Sequence, residues 1–167
     1  SRSSAASDVY KRQHIFHAAS LSAEPAAIAP EHVVKAIQHF YQVLDIKQYN
    51  KDKLRQVVTD DFVVFEAAKK MDLDEFHAFL THQDPNAEPL IDTTWQITDH
   101  RVSIDHNSAH VSYLNRGTFQ HGTSLRVTMQ WMESAFLTHQ NGALKIKFLN
   151  SNLMSKDIQK LSDDASD

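Results

Sequence analysis

One carboxylate interrupts an otherwise apolar strand face in the second half of the chain. In LRVTMQWMESAFL every second side chain is apolar except Glu133, between Trp131 and Ala135. Side chains of one parity share one face of a strand, and burying an unpaired carboxylate is costly. Glu133 is therefore predicted to be protonated, hydrogen-bonded or paired. Two interpretations stay open: a functional acid with a raised pKa, or a structural acceptor for a tyrosine or for an arginine such as Arg116.

The 11 histidines do not form a recognisable metal-binding pattern. His77 and His82 are five residues apart, whereas two ligands on one helical face are four apart. His106 and His110 could face each other across a turn, but two ligands make a weak site. The chain also has no glycine-rich phosphate loop and no nucleophile elbow. The sequence thus predicts no metal site and no cofactor.

Three helices are predicted in the first half of the chain. Apolar residues at helical spacing predict a helix over residues 31–49, and Asn50 is a plausible N-cap for a second one at Lys51–Val58. Asp72, with Glu75 three residues later, resembles a capping box that starts a third helix. A strand at residues 62–66, FVVFE, separates the second helix from the third.

The second half of the chain reads as two β-hairpins. The strands span residues 93–105 and 109–119, then 125–137 and 143–153, joined by turns at residues 106–108 and 140–142. The apolar parity of the first of these strands changes near Asp99 and His100, which predicts a β-bulge that bends the sheet. The predicted fold class is α+β, with three N-terminal helices packed on a curved, mainly antiparallel sheet.

Three segments carry a resemblance to a known family. DDFVVFE (60–66), RGTFQHG (116–122) and MESAFLTHQNGALKI (132–146) resemble strands of the nuclear transport factor 2-like superfamily. That superfamily includes steroid isomerases, SnoaL-like cyclases and the association domain of calcium/calmodulin-dependent kinase II. The resemblance covers residues 31–155 and implies a cone-shaped fold with an internal pocket. One fold of this kind hosts many chemistries.

The chain departs from the family pattern at several positions. Phe148 and Asn150 stand where many relatives carry histidines on the last strand, and Ala135 stands where the kinase association domain has an arginine. Phe79 and Leu80 occupy the place of a histidine pair in the third helix of several relatives. The resemblance therefore implies a pocket with fewer polar groups than is common in the family.

The resemblance also suggests catalytic candidates. Glu66 ends its strand near the point where the steroid isomerases carry a catalytic carboxylate, and Tyr41 could donate a hydrogen bond from the opposite wall. The second acid of the isomerases would align with Ala135, so Glu133 is only a nearby substitute. Glu66, Glu133 and Tyr41 are the candidate catalytic residues. The expected pocket-lining residues are Trp95, Tyr113, Met129, Trp131, Phe148, Asn150 and His82.

Three functions are compatible with these residues. The favoured one is a non-catalytic module that binds an unidentified small organic ligand in a mostly apolar conical pocket, or dimerises. The second is an isomerase, dehydratase or cyclase with Glu66 as general base, and the third is an assembly domain with a vestigial pocket. A homodimer through the sheet face is expected. The formal charge of −4 disfavours nucleic-acid binding, and no apolar run is long enough to span a membrane.

The ends of the chain are predicted to lie outside the domain. Residues 3–13, SSAASDVYKRQ, match the translation of a common transposon-type sequencing adapter, so residues 1–13 are interpreted as an artefact. Residues 14–29 read as a leader, and their small and apolar residues favour a signal-peptide remnant and a periplasmic or secreted protein over a cytoplasmic one. The domain is expected to span residues 30–155, followed by a polar, acidic tail at 156–167.

Overall fold

The computed structural model describes residues 26–161. The predicted adapter segment, most of the predicted leader and the last six residues lie outside this range. The described part contains three helices and six strands, which confirms the α+β prediction.

The second and third helices begin where their capping residues predict. Helix α1 spans Pro30–Val43, α2 spans Lys51–Val57 and α3 spans Leu73–Thr81. The Asn50 side chain accepts a hydrogen bond from the Lys53 backbone N–H at 2.8 Å. Asp72 and Glu75 form a reciprocal capping box, with both hydrogen bonds at 2.9 Å. These side chains satisfy backbone N–H groups that have no partner within the helix.

Helix α1 ends six residues before its predicted end. The apolar periodicity predicted a helix to Tyr49, but the chain leaves the helix after Val43. Asp45 explains the difference, because it forms a turn. Its carboxylate accepts a hydrogen bond from the Lys47 N–H at 3.0 Å, and its backbone carbonyl accepts one from the Tyr49 N–H at 2.8 Å. Aspartate favours such turns because its short side chain competes for nearby backbone N–H groups.

The six strands form one sheet in the order β2-β1-β6-β5-β4-β3. All neighbours are antiparallel except β1 and β6, which run parallel. The strands are β1 (Val58–Glu66), β2 (Lys69–Met71), β3 (Leu90–Ile104), β4 (Ser108–His121), β5 (Leu125–Gln140) and β6 (Ala143–Lys160). The short strand β2 was not predicted, and β6 extends five residues beyond the predicted end of the domain.

Two local irregularities of the sheet agree with the sequence. The register between β3 and β4 shifts between Thr98 and Arg101, where Asp99 has a φ of 54°, so the predicted bulge is confirmed. The β5–β6 turn places Asn141 and Gly142 at φ values of 54° and 76°. Asn-Gly suits this turn because both of its central residues need positive φ.

The core lies between the helices and one face of the sheet. Its fully buried members come from both layers, and include Val33, Ile37, Phe40, Leu54, Val111 and Leu137. The helices do not fill this face, and a cavity remains between α1, α3 and strands β1 and β3–β6.

Candidate functional site

A cavity of about 910 Å³ opens between the helices and the inner face of the sheet. Helices α1 and α3, the loop at residues 82–89 and all the strands except β2 contribute to its wall. Much of the lining is aromatic or aliphatic, including Phe40, Leu44, Trp95, Phe119, Trp131 and Leu149. Clefts of about 300–1,000 Å³ with apolar walls and a few polar groups are typical small-molecule sites.

Glu133 lies at the centre of a hydrogen-bonded cluster in the cavity wall. Its Oε2 accepts a hydrogen bond from the Tyr41 hydroxyl and another from the Asn115 amide, the latter at 3.3 Å. Its Oε1 accepts a hydrogen bond from the Ser151 hydroxyl at 2.7 Å. The Tyr113 hydroxyl lies 3.2 Å from that of Tyr41. Four elements meet here, since α1 carries Tyr41 and the adjacent strands β4, β5 and β6 carry the rest.

Burial controls the ionisation of this cluster. Removal from water raises the pKa of the Glu133 carboxyl, and the hydrogen bonds from Tyr41, Ser151, Tyr113 and Asn115 offset part of that increase. Burial, together with the nearby Glu133 carboxylate, also raises the pKa values of Tyr41 and Tyr113 well above 10.0. Both phenols are therefore neutral donors at physiological pH.

Glu66 contributes a second carboxylate from the end of β1. Two residues of positive φ, Ala67 and Ala68, turn the chain into β2 directly after it. Burial raises the pKa of the Glu66 carboxyl, while the nearby Ser151 hydroxyl and Ala67 backbone N–H lower it in part. Ser151 thus stands between the two carboxylates, in a row that runs from β1 across β6 to β5.

An aromatic cluster forms the wall beside the carboxylates. The Trp95 ring lies 5.0 Å from Tyr41, 5.3 Å from Phe119 and 6.0 Å from Trp131, measured between centroids. Gly117 leaves room for Trp95, because a Cβ at that position would lie 2.9 Å from the indole ring. A larger residue there would displace the ring.

Three buried polar atoms of cavity-lining residues have no hydrogen-bond partner among the described residues. They are the indole nitrogens of Trp95 and Trp131 and the amide oxygen Oδ1 of Asn115. Asn115 is only 2% exposed and lies on the inward-facing side of β4. Buried polar groups are normally paired, so each such atom requires an explanation.

The outer part of the cavity carries further ionisable groups. His82, Asp84 and Glu88 come from the loop after α3, and His121 ends β4. Tyr49 also lines the cavity, its hydroxyl lies 2.7 Å from the Nδ1 of His77, and burial raises its pKa to about 12. Within residues 26–161, no lysine or arginine lines the cavity.

The structure brings most of the candidate residues together. Tyr41, Glu66 and Glu133 all line the cavity, as do Trp95, Met129, Trp131 and His82. Tyr113 is buried beside Tyr41 and takes part in the cluster without lining the open space. The interpretation of Glu133 as partner of Arg116 is wrong, because Arg116 lies on the exposed, outer side of β4.

Phe148 and Asn150 do not line the cavity, so their assignment to the pocket is wrong. Leu137 pairs with Ile146 but Phe136 pairs with Phe148, so Lys147 is an extra residue in β6. This bulge reverses the alternation along the strand. As a result Leu149 and Ser151 face inward, and Phe148 packs against Phe65 on the outer face, 5.0 Å between ring centroids.

Sequence reasoning missed two members of the cluster. Asn115 shares its strand face with the buried residues Val111 and Tyr113, so the pattern that singled out Glu133 could also have found it. Ser151 faces inward only because of the bulge at Lys147, and no residue in the segment signals that bulge. Glu88, in the loop after α3, had no positional signal in the sequence.

Two classes of feature are not found between residues 26 and 161. No group of three or more histidine, aspartate or glutamate side chains there is arranged to hold a metal ion. None of the helices in this range has the length and apolar character needed to cross a membrane.

The chain is similar to solved structures but not to characterised sequences. No family model matches it, and no curated protein matches it. The CamKII hub homology domain of Chlamydomonas reinhardtii superposes with a TM-score of 0.61 at 16% identity, covering 75% of this chain and 98% of that one. A protein from Cytophaga hutchinsonii described as NTF2-like superposes at 0.55 with 12% identity, covering 76% and 100%.

An enzyme is among the similar structures. A hexachlorocyclohexane dehydrochlorinase superposes with a TM-score of 0.55 at 14% identity, covering 78% of this chain and 90% of that one. At these identities the similarity establishes the fold and leaves the activity open.

Proposed function

We propose that the cavity binds a small, mainly apolar organic molecule. The chain shares the nuclear transport factor 2-like fold with the structures named above. The observation that carries this proposal is the cavity itself, about 910 Å³ in volume, whose mainly aromatic and aliphatic wall also holds the Glu66 and Glu133 carboxylates. A cleft of this size with apolar walls and a few polar groups is typical of small-molecule sites.

The rest of the lining supports the same proposal. Apolar and aromatic walls bury most of a small ligand, while a few polar groups set its orientation. The cavity has both, since the aromatic cluster of Tyr41, Trp95, Phe119 and Trp131 adjoins the Glu133 network. The hydrogen bonds within that network hold the wall in place before a ligand arrives.

Two methionines of β5 provide a matched test. Met129 lines the cavity, whereas Met132 is 52% exposed on the outer face. With Nile red, a neutral apolar fluorophore, as the probe, we expect Met129→Trp to fill part of the cavity and weaken binding by about tenfold. Met132→Trp should bind the dye like the unmodified chain. Equal binding by Met129→Trp, or a loss caused by Met132→Trp instead, would contradict binding in the cavity.

A second candidate function is proton transfer, and the position of Glu66 favours it. Glu66 is only partly buried, lines the cavity, and has a pKa that burial raises toward the range of a general base. Glu133 already accepts three hydrogen bonds and is less available. In this candidate, Glu66 removes a proton from a carbon beside a carbonyl, with Tyr41 or Glu133 as acid partner.

Deuterium exchange tests the second candidate. Phenylcyclohexanone in deuterium oxide should exchange the hydrogens beside its carbonyl faster with the protein than with buffer. Glu66→Gln should lower that rate by about a hundredfold or more if Glu66 is the base. An unchanged rate in Glu66→Gln would exclude Glu66 as the base, and a rate no faster than in buffer for the unmodified chain would leave ligand binding without catalysis.

A self-association role is supported by the outer face of the sheet. Leu114 and Met132 are direct neighbours on β4 and β5 and are 38% and 52% exposed. Phe65 and Phe136, exposed at 44% and 38%, flank Phe148 on the same face. Exposed apolar patches of this kind are common at protein–protein interfaces. We therefore propose that the chain forms a homodimer through this face.

A further inference from the structure

The ionisable side chains around the cavity are mostly acidic. Four carboxylates line it, from Glu66, Asp84, Glu88 and Glu133, and within the described range no lysine or arginine does. None of the four is in a salt bridge within residues 26–161. Apart from His82 and His121 near the opening, the cavity therefore has no protein cation to balance this charge.

From this imbalance we infer that the ligand is an organic ammonium ion, an apolar or aromatic body that carries a protonated amine. This inference rests on the proposed binding function and narrows its ligand class. A positive charge close to partly desolvated carboxylates interacts more strongly than it would in water, because the effective dielectric constant is lower. An anionic ligand would meet repulsion from the same groups.

Glu66 is the carboxylate placed to contact the ammonium group. Both oxygens of Glu133 are already engaged, with Tyr41 and Asn115 on one and Ser151 on the other. Glu66 is less buried, and the Ser151 hydroxyl and the Ala67 N–H are the polar groups close to its carboxyl group. Glu66 thus has acceptor capacity for a charge-assisted hydrogen bond.

The aromatic wall fits the same ligand class. Ammonium ions are attracted to the faces of aromatic rings, most strongly to tryptophan. Tyr41, Trp95 and Trp131 stand beside the Glu133 cluster, with Trp95 within 6.0 Å of both other rings, measured between centroids. Carboxylates together with tryptophan and tyrosine rings therefore surround the inner part of the cavity.

Isothermal titration calorimetry with three probes of one shape tests the inference. Phenylbutylammonium, phenylbutanol and phenylpentanoate share an aromatic ring and an alkyl chain but end in a cation, a neutral group and an anion. We expect the ammonium probe to bind at least about tenfold more tightly than the alcohol, and the carboxylate to bind most weakly. This ranking needs no substitution, so it does not depend on whether a variant folds.

Substitutions then assign the preference to the cavity. Glu66→Gln should reduce the ammonium preference over the alcohol to about threefold or less, while binding of the alcohol stays unchanged. Asp157→Asn, which changes an exposed carboxylate on the outer face, should keep the full preference.

The outcomes separate the two proposals. Equal affinities for the ammonium and alcohol probes, or tightest binding of the carboxylate, would overturn the cation inference and leave a cavity that binds neutral or anionic molecules. Absence of binding by all three probes, together with no Nile red binding, would overturn the proposed function itself.

Discussion

At the scale of single residues, Glu133 makes the stability of the fold depend on pH. Burial raises its pKa in the folded chain above the ordinary value of about 4.3. Between these two values the folded state retains a proton that the unfolded state has lost. The free energy of unfolding should therefore decrease as the pH rises from about 4.3 through the raised pKa.

Glu133→Gln should flatten this pH dependence. The amide keeps an acceptor for Tyr41 but does not ionise, so the variant should lose less stability than the unmodified chain as the pH rises above about 4.3. Urea unfolding at several pH values measures the effect. Glu66 retains a raised pKa in the variant and leaves a residual slope, while the phenols of Tyr41 and Tyr113 stay neutral.

An exposed glutamate provides the control for that experiment. Glu31 lies in the first turn of α1, away from the cluster, and Glu31→Gln should leave the slope as it is. Identical slopes for Glu133→Gln and the unmodified chain would show that Glu133 ionises in the folded protein as it does in the unfolded one.

The residue scale also shows what a sequence can and cannot predict. Glu133 was recognisable because a carboxylate stands out on an apolar strand face, and Asn115 had the same signature on β4. The partners of Glu133 were not predictable, since they come from α1 and β6 and depend on how distant segments pack. Ser151 in particular depends on one extra residue in β6.

At the scale of elements, the capping box of α3 positions part of the cavity wall. The Asp72 side chain accepts a hydrogen bond from the Glu75 N–H, and the Glu75 side chain accepts one from the Asp72 N–H. The helix that starts here contributes Phe76, Phe79 and Leu80 to the cavity wall. Asp72→Ala should lower the free energy of unfolding by about 1 kcal/mol, because the N-cap acceptor is lost.

Asp74 offers a comparison within the same turn. It pairs with Lys51 at 2.7 Å, but its side chain is 73% exposed, and exposed pairs contribute little. Asp74→Ala should shift the midpoint of the same urea titration much less than Asp72→Ala does. An equal loss for the two variants would mean that general acidity of the first turn, rather than the cap itself, stabilises α3.

Elements with local signals were predictable, and those fixed by tertiary contacts were not. The starts of α2 and α3, the Asn141–Gly142 turn and the bulge at Asp99 each have a residue-level cause in the sequence. Strand β2 has only three residues and forms because β1 folds back at Ala67 and Ala68. The end of α1 was misplaced because the apolar periodicity continued through the turn at Asp45.

At the scale of the whole molecule, the outer face of the sheet should determine the oligomeric state. Met132 is the most exposed apolar residue at the centre of that face, opposite Leu114. Met132→Glu would bring a charge into an apolar contact, so we expect a shift from dimer to monomer of at least about tenfold in dissociation constant. Light scattering coupled to size-exclusion chromatography measures that shift.

Gln130 is the matched control position on the same strand. It is already polar and exposed on the outer side of β5, and Gln130→Glu should change the oligomeric state little. A monomer at every concentration of the unmodified chain, or a dimer unaffected by Met132→Glu, would contradict association through this patch.

The whole molecule also contains a built-in reporter for its cavity. The chain has two tryptophans, and both Trp95 and Trp131 line the cavity. Intrinsic tryptophan emission therefore responds to the environment of the candidate site. Phenylbutylammonium absorbs little where tryptophan is selectively excited, so it can be titrated against this emission directly.

That titration is the most direct test of the claim that the cavity binds a small organic ligand. We predict a saturable change in tryptophan emission with one probe molecule per chain, weakened by Met129→Trp after correction for the added indole and retained in Met132→Trp. Emission that stays unchanged, or that changes linearly without saturation up to the solubility limit of the probe, would contradict the account.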